Sequence, residues 1–130
     1  MNKSKKENHY IESILSSEPF ILDSEQKSKL FDKAMNEAFQ YHMHNNKLFK
    51  NYCDNIGFSL DNYPSALSDY PYIPVNIFKN QRLTSVPSSK INAILNSSAT
   101  SGVPSSIAID TITSKRQSFA SAKVMSSYLG

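Results

Sequence analysis

The sequence predicts an α/β chain, helical in its first half and strand–loop–helix in its second, on three observations. Residues 24–44 repeat apolar side chains at one- and four-residue steps, the stripe of an amphipathic helix. Short apolar stretches with β-branched residues at 91–95 and 107–109 are too brief for helices and read as strands. The residues between those stretches are nearly all small, a loop composition.

Each element has its own local reason. Residues 1–9 are polar and belong to a terminus, where fraying is expected. Tyr10, Ile11, Ile14 and Leu15 make one face of a short helix. Pro19 ends it, because the residue before a proline is pushed out of the helical region. Asp23 or Ser24 then starts the next helix, and Gln26 stands where a capping box needs it. Leu30, Phe31, Ala34, Met35, Ala38, Phe39 and His42 form its apolar stripe, with Lys27, Lys29, Lys33, Asn36 and Gln40 opposite. Asn45-Asn46 marks its end or a kink. A further helix over 47–55 turns Leu48, Phe49, Tyr52 and Ile56 inward, and Gly57 stops it by accepting the left-handed conformation.

The character changes at about residue 59. Pro64, Pro71 and Pro74 interleave with Tyr63, Tyr70 and Tyr72, so aromatic packing rather than ladder hydrogen bonding should order this part. Val75, Ile77 and Phe78 read as a short extended piece, and 83–86 as another. Residues 91–95 read as a buried strand, followed by the loop and a strand over 107–109. Asp110 or Thr113 caps a last helix over 114–129, with Phe119, Ala122, Val124, Met125 and Leu129 available for packing. The chain thus divides into a helical part, 10–58, and a strand–loop–helix part, 59–130, without internal repeats.

Composition narrows the function classes. The 130 residues are 39% apolar and 19% charged, with seven Tyr, seven Phe and no Trp, which suits a folded domain. No apolar run approaches the roughly 20 residues that span a bilayer. The basic start, Lys3, Lys5 and Lys6, is not followed by the apolar core of a signal peptide, so a cytoplasmic location is expected. A net charge of +3 gives no basic stripe, which argues against nucleic acid. The lone Cys53 rules out an internal disulfide and reads as a structural thiol. His42 and His44 lie two apart and do not share a helical face, so no metal site is expected there. Lys79 reads as a surface lysine, and Asp110 as a helix cap rather than a catalytic acid.

Residues 97–105, Ser97-Ser98-Ala99-Thr100-Ser101-Gly102-Val103-Pro104-Ser105, are the one segment whose residue types suggest a ligand. Small side chains let the backbone approach an anion, and hydroxyls and N–H groups can donate to phosphate oxygens. A flexible serine-rich connection has the same composition. The segment lacks Gly-x-x-x-x-Gly-Lys and is no Walker loop.

Here the chain resembles the phosphate-binding motif of the adenylate-forming superfamily, roughly Thr/Ser-Ser-Gly-Thr-Thr-Gly-x-Pro-Lys. Ser97, Ser98, Thr100, Ser101, Gly102 and Pro104 match; Ala99 replaces a glycine and Ser105 the lysine. Serine in place of that lysine is similar to acyl-protein synthetases of the LuxE type. So is Pro71-x-x-Pro74-Val75-x-x-Phe78-Lys79, followed by Thr84-Ser85-Val86-Pro87. Ser106-Ile107-Ala108-Ile109-Asp110 and then Thr113 and Gln117 resemble the strand and helix start after that family's loop.

The resemblance implies the N-terminal portion of an adenylate-forming fold and an ATP-dependent activation. A fatty acid or other carboxylic acid attacks the α-phosphorus of ATP, giving acyl-AMP and pyrophosphate. The acyl group then passes to the protein and on to an acyl-reductase or acyl-transferase partner. Ser97, Ser98, Thr100, Ser101 and Gly102 would hold the phosphates, with Mg²⁺ neutralising further charge. The family's later motifs lie beyond residue 130, so a fragment, inactive alone, is expected, and no catalytic residue is assigned. The alternative is a noncatalytic remnant or interaction module using the tyrosine–proline surface.

Overall fold

The computed structural model describes residues 9–59, 61, 64, 66–98 and 102–130. The element order is α1 (His9–Ser16), α2 (Ser24–Asn45), α3 (Lys47–Asn55), α4 (Ile77–Asn80), β1 (Ile91–Asn96), β2 (Ser106–Asp110) and α5 (Thr111–Leu129), with 3₁₀ turns at Leu67–Asp69 and Ser88–Lys90. Helix and strand are therefore mixed, and β1 and β2 pair antiparallel as a two-stranded sheet.

Side-chain caps start α2, α3 and α5. Asp23 accepts the Gln26 N–H at 2.8 Å, and Gln26 Oε1 accepts the Asp23 N–H at 3.4 Å, completing the capping box of α2. Asp110 caps α5 by accepting the Thr113 N–H at 2.7 Å, so that helix starts three residues earlier than predicted. Asn46 does two jobs. Its backbone N–H closes α2 on the His42 carbonyl at 2.8 Å, and its side chain opens α3 by accepting the Phe49 N–H at 3.0 Å.

The core lies where α2 and α3 meet. Phe39, Met43 and Cys53 are buried, and Phe49, Tyr52, Phe58 and Tyr70 pack around them. Phe39 is the hub: the rings of Phe49, Phe58 and Tyr70 approach it edge-on at 5.3, 5.0 and 5.2 Å. Gly57, at φ +75°, turns the chain after α3 so that Phe58 can join this cluster.

Helix α1 buries no residue completely, and charge fixes both of its ends. The Glu37 carboxylate accepts the N–H groups of Tyr10 and Ile11 at 2.8 and 3.2 Å. At the other end Lys123 Nζ, on α5, donates to the carbonyls of Ser16 and Ser17 at 2.9 and 2.8 Å. A carboxylate at the N-terminus and an ammonium at the C-terminus both complement the helix dipole. Arg116 joins α5 to Glu12 at 2.6 Å.

Several expectations need correction. Residue 9 belongs to α1 rather than to a frayed tail. Val75, Ile77 and Phe78 are not extended: Pro74 starts a turn that runs into α4, with Ile77 N–H donating to the Pro74 carbonyl at 3.0 Å. The β-branched propensity of Val75 and Ile77 yields to that proline-led turn. Residues 83–86 form no strand, and Ser85 and Val86 bend instead. Strand β1 is not buried, since Ile94 and Leu95 are 44% and 53% exposed. Tyr72 is open to solvent, and of the tyrosine–proline segment only Tyr70 reaches the aromatic cluster, while Tyr63 lies outside the described residues. Phe119, Val124, Met125 and Leu129 on α5 remain largely exposed. Among the described residues no helix is long and apolar enough to cross a membrane.

Candidate functional site

The small-residue loop leaves β1 at Asn96 and re-enters the sheet at Ser106, so it is the tip of the β1–β2 hairpin. Three contacts close its base. The Ser97 N–H donates to the Ser105 carbonyl at 3.0 Å, the Ser105 N–H donates to Ser97 Oγ at 2.9 Å, and Ser106 Oγ donates to Asn96 Oδ1 at 2.6 Å. Ser97 Oγ thus acts as an acceptor in the clamp while its own O–H proton stays able to donate outward. Ser105, where the resembled motif has lysine, uses only its backbone in this closure.

Ser98 and Gly102 are exposed on the loop. Gly102 has φ +101°, a conformation strained for any L side chain, although a Cβ built there meets nothing within 4 Å. Space is open at Gly102, and the backbone geometry alone selects glycine. Thr100 and Ser101, also proposed to hold phosphate, and Ala99 lie outside the described residues. The hairpin therefore brings Ser97, Ser98 and Gly102 to one tip, with hydroxyl and backbone N–H donors of the kind that bind oxyanions.

A second feature escaped the sequence. A groove of about 330 Å³ runs between α2, α3, the 83–86 bend and the hairpin, with Phe49, Phe78, Leu83 and Val86 among its apolar walls. On its rim His42 Nδ1 and Ser85 Oγ are 2.7 Å apart, and Tyr41 Oη donates to the Ser85 carbonyl at 3.4 Å. Forty-three positions separate His42 from Ser85, and no spacing rule in the sequence joins them. None of the described loop residues, 97–98 and 102–105, lines the groove. Asp110 and Thr113 also border it, which ties the α5 cap to its floor.

His42 is exposed as a residue, but partial desolvation of its ring against the groove lowers its pKa below the ordinary 6.5. The neutral imidazole is therefore the form that suits the fold, and it can share a proton with the Ser85 hydroxyl. The folded state binds fewer protons at this site than the unfolded chain, so its contribution is present above the unfolded pKa and is lost as pH falls below about 6.5. Melting temperature should drop between pH 7.5 and pH 5.5, and His42→Gln should flatten that part of the profile. An unchanged pH profile in the variant would remove His42 as its source.

Cys53 is fully buried against the aromatic cluster. Burial first, and Asp54 second, push its thiol pKa up, while Lys50 opposes them weakly. The thiol is a packing group rather than a nucleophile. Lys79 is half-buried on α4. Among the described residues no group of three or more His, Cys, Asp or Glu is placed to hold a metal ion.

Comparison with known proteins agrees with the motifs. The sequence model of the family described as "Acyl-protein synthetase, LuxE" matches residues 3–130. The chain is similar to the long-chain-fatty-acid–luciferin-component ligase of Aliivibrio fischeri, 35% identical over 92 residues, covering 71% of this chain and 24% of that protein. The ligase of the same name from Vibrio harveyi is 29% identical over 92 residues with the same coverage. That from Photorhabdus luminescens is 27% identical over 97 residues, covering 75% of this chain and 82% of the relative. The matched region thus spans about a quarter of the length of the first two relatives. No solved structure matches. With a family match that runs over nearly its whole length, the chain belongs to the acyl-protein synthetases of the LuxE type.

Proposed function

We propose that this chain supplies the phosphate-binding hairpin of an ATP-dependent fatty-acid ligase, the N-terminal part of an adenylate-forming domain. The observation that carries the reading is the clamped loop: Ser97 and Ser105 close its base, and Gly102 holds a conformation reserved for glycine at its tip. Donors fixed at the base of the loop, on Ser97 and Ser105, need no ordering on binding, which is the preorganisation that charge stabilisation requires.

In this reading ATP and a fatty acid are the substrates. The carboxylate attacks the α-phosphorus, and pyrophosphate leaves with its charge held by Ser97, Ser98, Thr100, Ser101 and Gly102. The acyl-AMP formed is then consumed by transfer of the acyl group to a protein acceptor, which breaks the acyl–phosphate bond and releases AMP, and an acyl-reductase or acyl-transferase follows. Mg²⁺ commonly accompanies such phosphates, but the described side chains offer no protein-held metal site, and no step is assigned to it. The domain division at residues 58–59 and a cytoplasmic location belong to the same reading.

Calorimetric titration with Mg²⁺–ATP is the test. Weak binding is expected, falling at least about tenfold with Gly102→Val because the strained loop loses its donor geometry. The helical circular dichroism of the variant should match the parent, since a side chain added at Gly102 enters open space. A well-folded parent chain that shows no nucleotide binding would favour the noncatalytic remnant instead.

A further inference from the structure

The turn between α1 and α2 holds the one non-glycine residue with a left-handed backbone among the described residues: Phe20, at φ +66°. A bulky side chain in that region is a conformational outlier, and such outliers concentrate at ligand clamps. Burial does not compensate it, because Phe20 is 73% exposed. Its ring stands edge-on to Tyr128 of α5 at 5.5 Å, and Tyr128 is 74% exposed.

Phe20 also borders a cleft of about 490 Å³ bounded by α1, α2 and α5. Its walls are apolar, made by Ile14, Leu15, Leu22, Leu30, Phe31 and Val124, and none of the described hairpin residues takes part. Concave apolar sites of this size take small molecules, which a few polar groups orient. The charged residues lining the cleft are Glu18, Lys27 and Lys123. Lys123 lies 3.3 Å from Glu18 and donates to the Ser16 and Ser17 carbonyls, so those two charges satisfy each other and the end of α1. In the first turns of α2, Glu25 pairs with Lys29 and the Asp23 carboxylate accepts the Gln26 N–H. The Lys27 ammonium has no hydrogen bond or ion pair among the described residues. One uncommitted cation beside an apolar cleft complements a monoanion with a long apolar tail.

We infer that this cleft is a binding site for one long-chain carboxylic acid, with the tail between α1, α2 and α5, the carboxylate at Lys27, and Phe20 closing over the tail as a flap. The bound tail gives the Phe20 ring apolar contact that solvent denies it, which offsets the cost of its backbone. The ligand class agrees with the fatty-acid substrate proposed above, but the site stands on the cleft, its cation and the outlier at Phe20, away from the phosphate-binding hairpin.

Calorimetric titration of this chain with octanoate, decanoate and dodecanoate, each below its micellar concentration and without nucleotide, is the test. Affinity should rise about fifteenfold for each pair of methylenes added. Lys27→Met should weaken decanoate about fivefold and leave decanol unaffected. Phe20→Gly should weaken both several-fold without lowering the melting temperature, since glycine accepts the backbone angle. Val124→Trp, which fills the cleft from α5, should abolish binding. Affinity that ignores tail length overturns the proposal, as does a folded Val124→Trp variant that still binds. Should that variant not fold, equal weakening of decanoate and decanol by Lys27→Met overturns it. Dodecanoate held only when phosphatidylcholine vesicles are present, or a dimer of this chain that excludes dodecanoate, does so too, because the occupant would be a lipid surface or a second copy. No nucleotide enters the titration, so this site and the ATP reading can fail separately.

Discussion

Phe39→Ala should be the most damaging single substitution in the described part of this chain, costing about 3–5 kcal/mol. Phe39 is 6% exposed and makes edge-on contacts with three other rings, one from α3, one after Gly57 and one from the 66–70 region. Truncation opens a cavity at the point where three chain segments meet, and none can move in to fill it without leaving the others. Net stabilities of small domains are themselves about 5–15 kcal/mol, so the loss is a large fraction of what holds the fold. Urea denaturation followed by far-ultraviolet dichroism measures the effect. The Cys53 thiol gives an independent readout, because its full burial should make it slow towards thiol reagents until this cluster opens. A variant whose midpoint barely moves and whose Cys53 stays protected would show that the aromatic cluster is not the centre of stability.

Lys123→Met should release α1. Its ammonium donates to the Ser16 and Ser17 carbonyls and lies 3.3 Å from the Glu18 carboxylate. The side chain is only 21% exposed, so water replaces these bonds poorly. Charged hydrogen bonds of this sort contribute about 1.5–3 kcal/mol each at most, and they are not additive on one ammonium. Helix α1 has no fully buried residue, so these charged bonds add to a packing of half-buried side chains on α2. Hydrogen exchange over 9–16 should accelerate strongly in the variant, while α2 and α3 keep their protection. Equal exchange in both proteins would place the anchoring of α1 elsewhere, on Glu37 and Arg116.

Much of this architecture was legible in the sequence because its causes are local. The capping box of Asp23 and Gln26, the stop at Gly57 and the Asp110 cap are all decided within three or four residues of themselves. The apolar stripe of α2 also placed Phe39 in the interior. What escaped was non-local. The His42–Ser85 contact needs the chain to fold back over forty-three positions, and periodicity cannot report that. Residues 75–78 were misread because β-branched composition was weighed above the turn that Pro74 begins. Strand β1 reads as buried from its apolar pattern and the α5 side chains as available for packing, yet the pattern describes what a surface is suited to meet, not whether it is met. For the candidate site, the sequence located the loop, and the fold adds that Ser97 and Ser105 clasp its base.

Asn46 gives the helical half an elbow without slack. One residue ends α2 with its backbone and begins α3 with its side chain, so no spacer separates the two rods. An inserted residue here would rotate α3 by about 100° and swing Phe49 and Cys53 away from Phe39. Natural variation in length should therefore be absent at this joint.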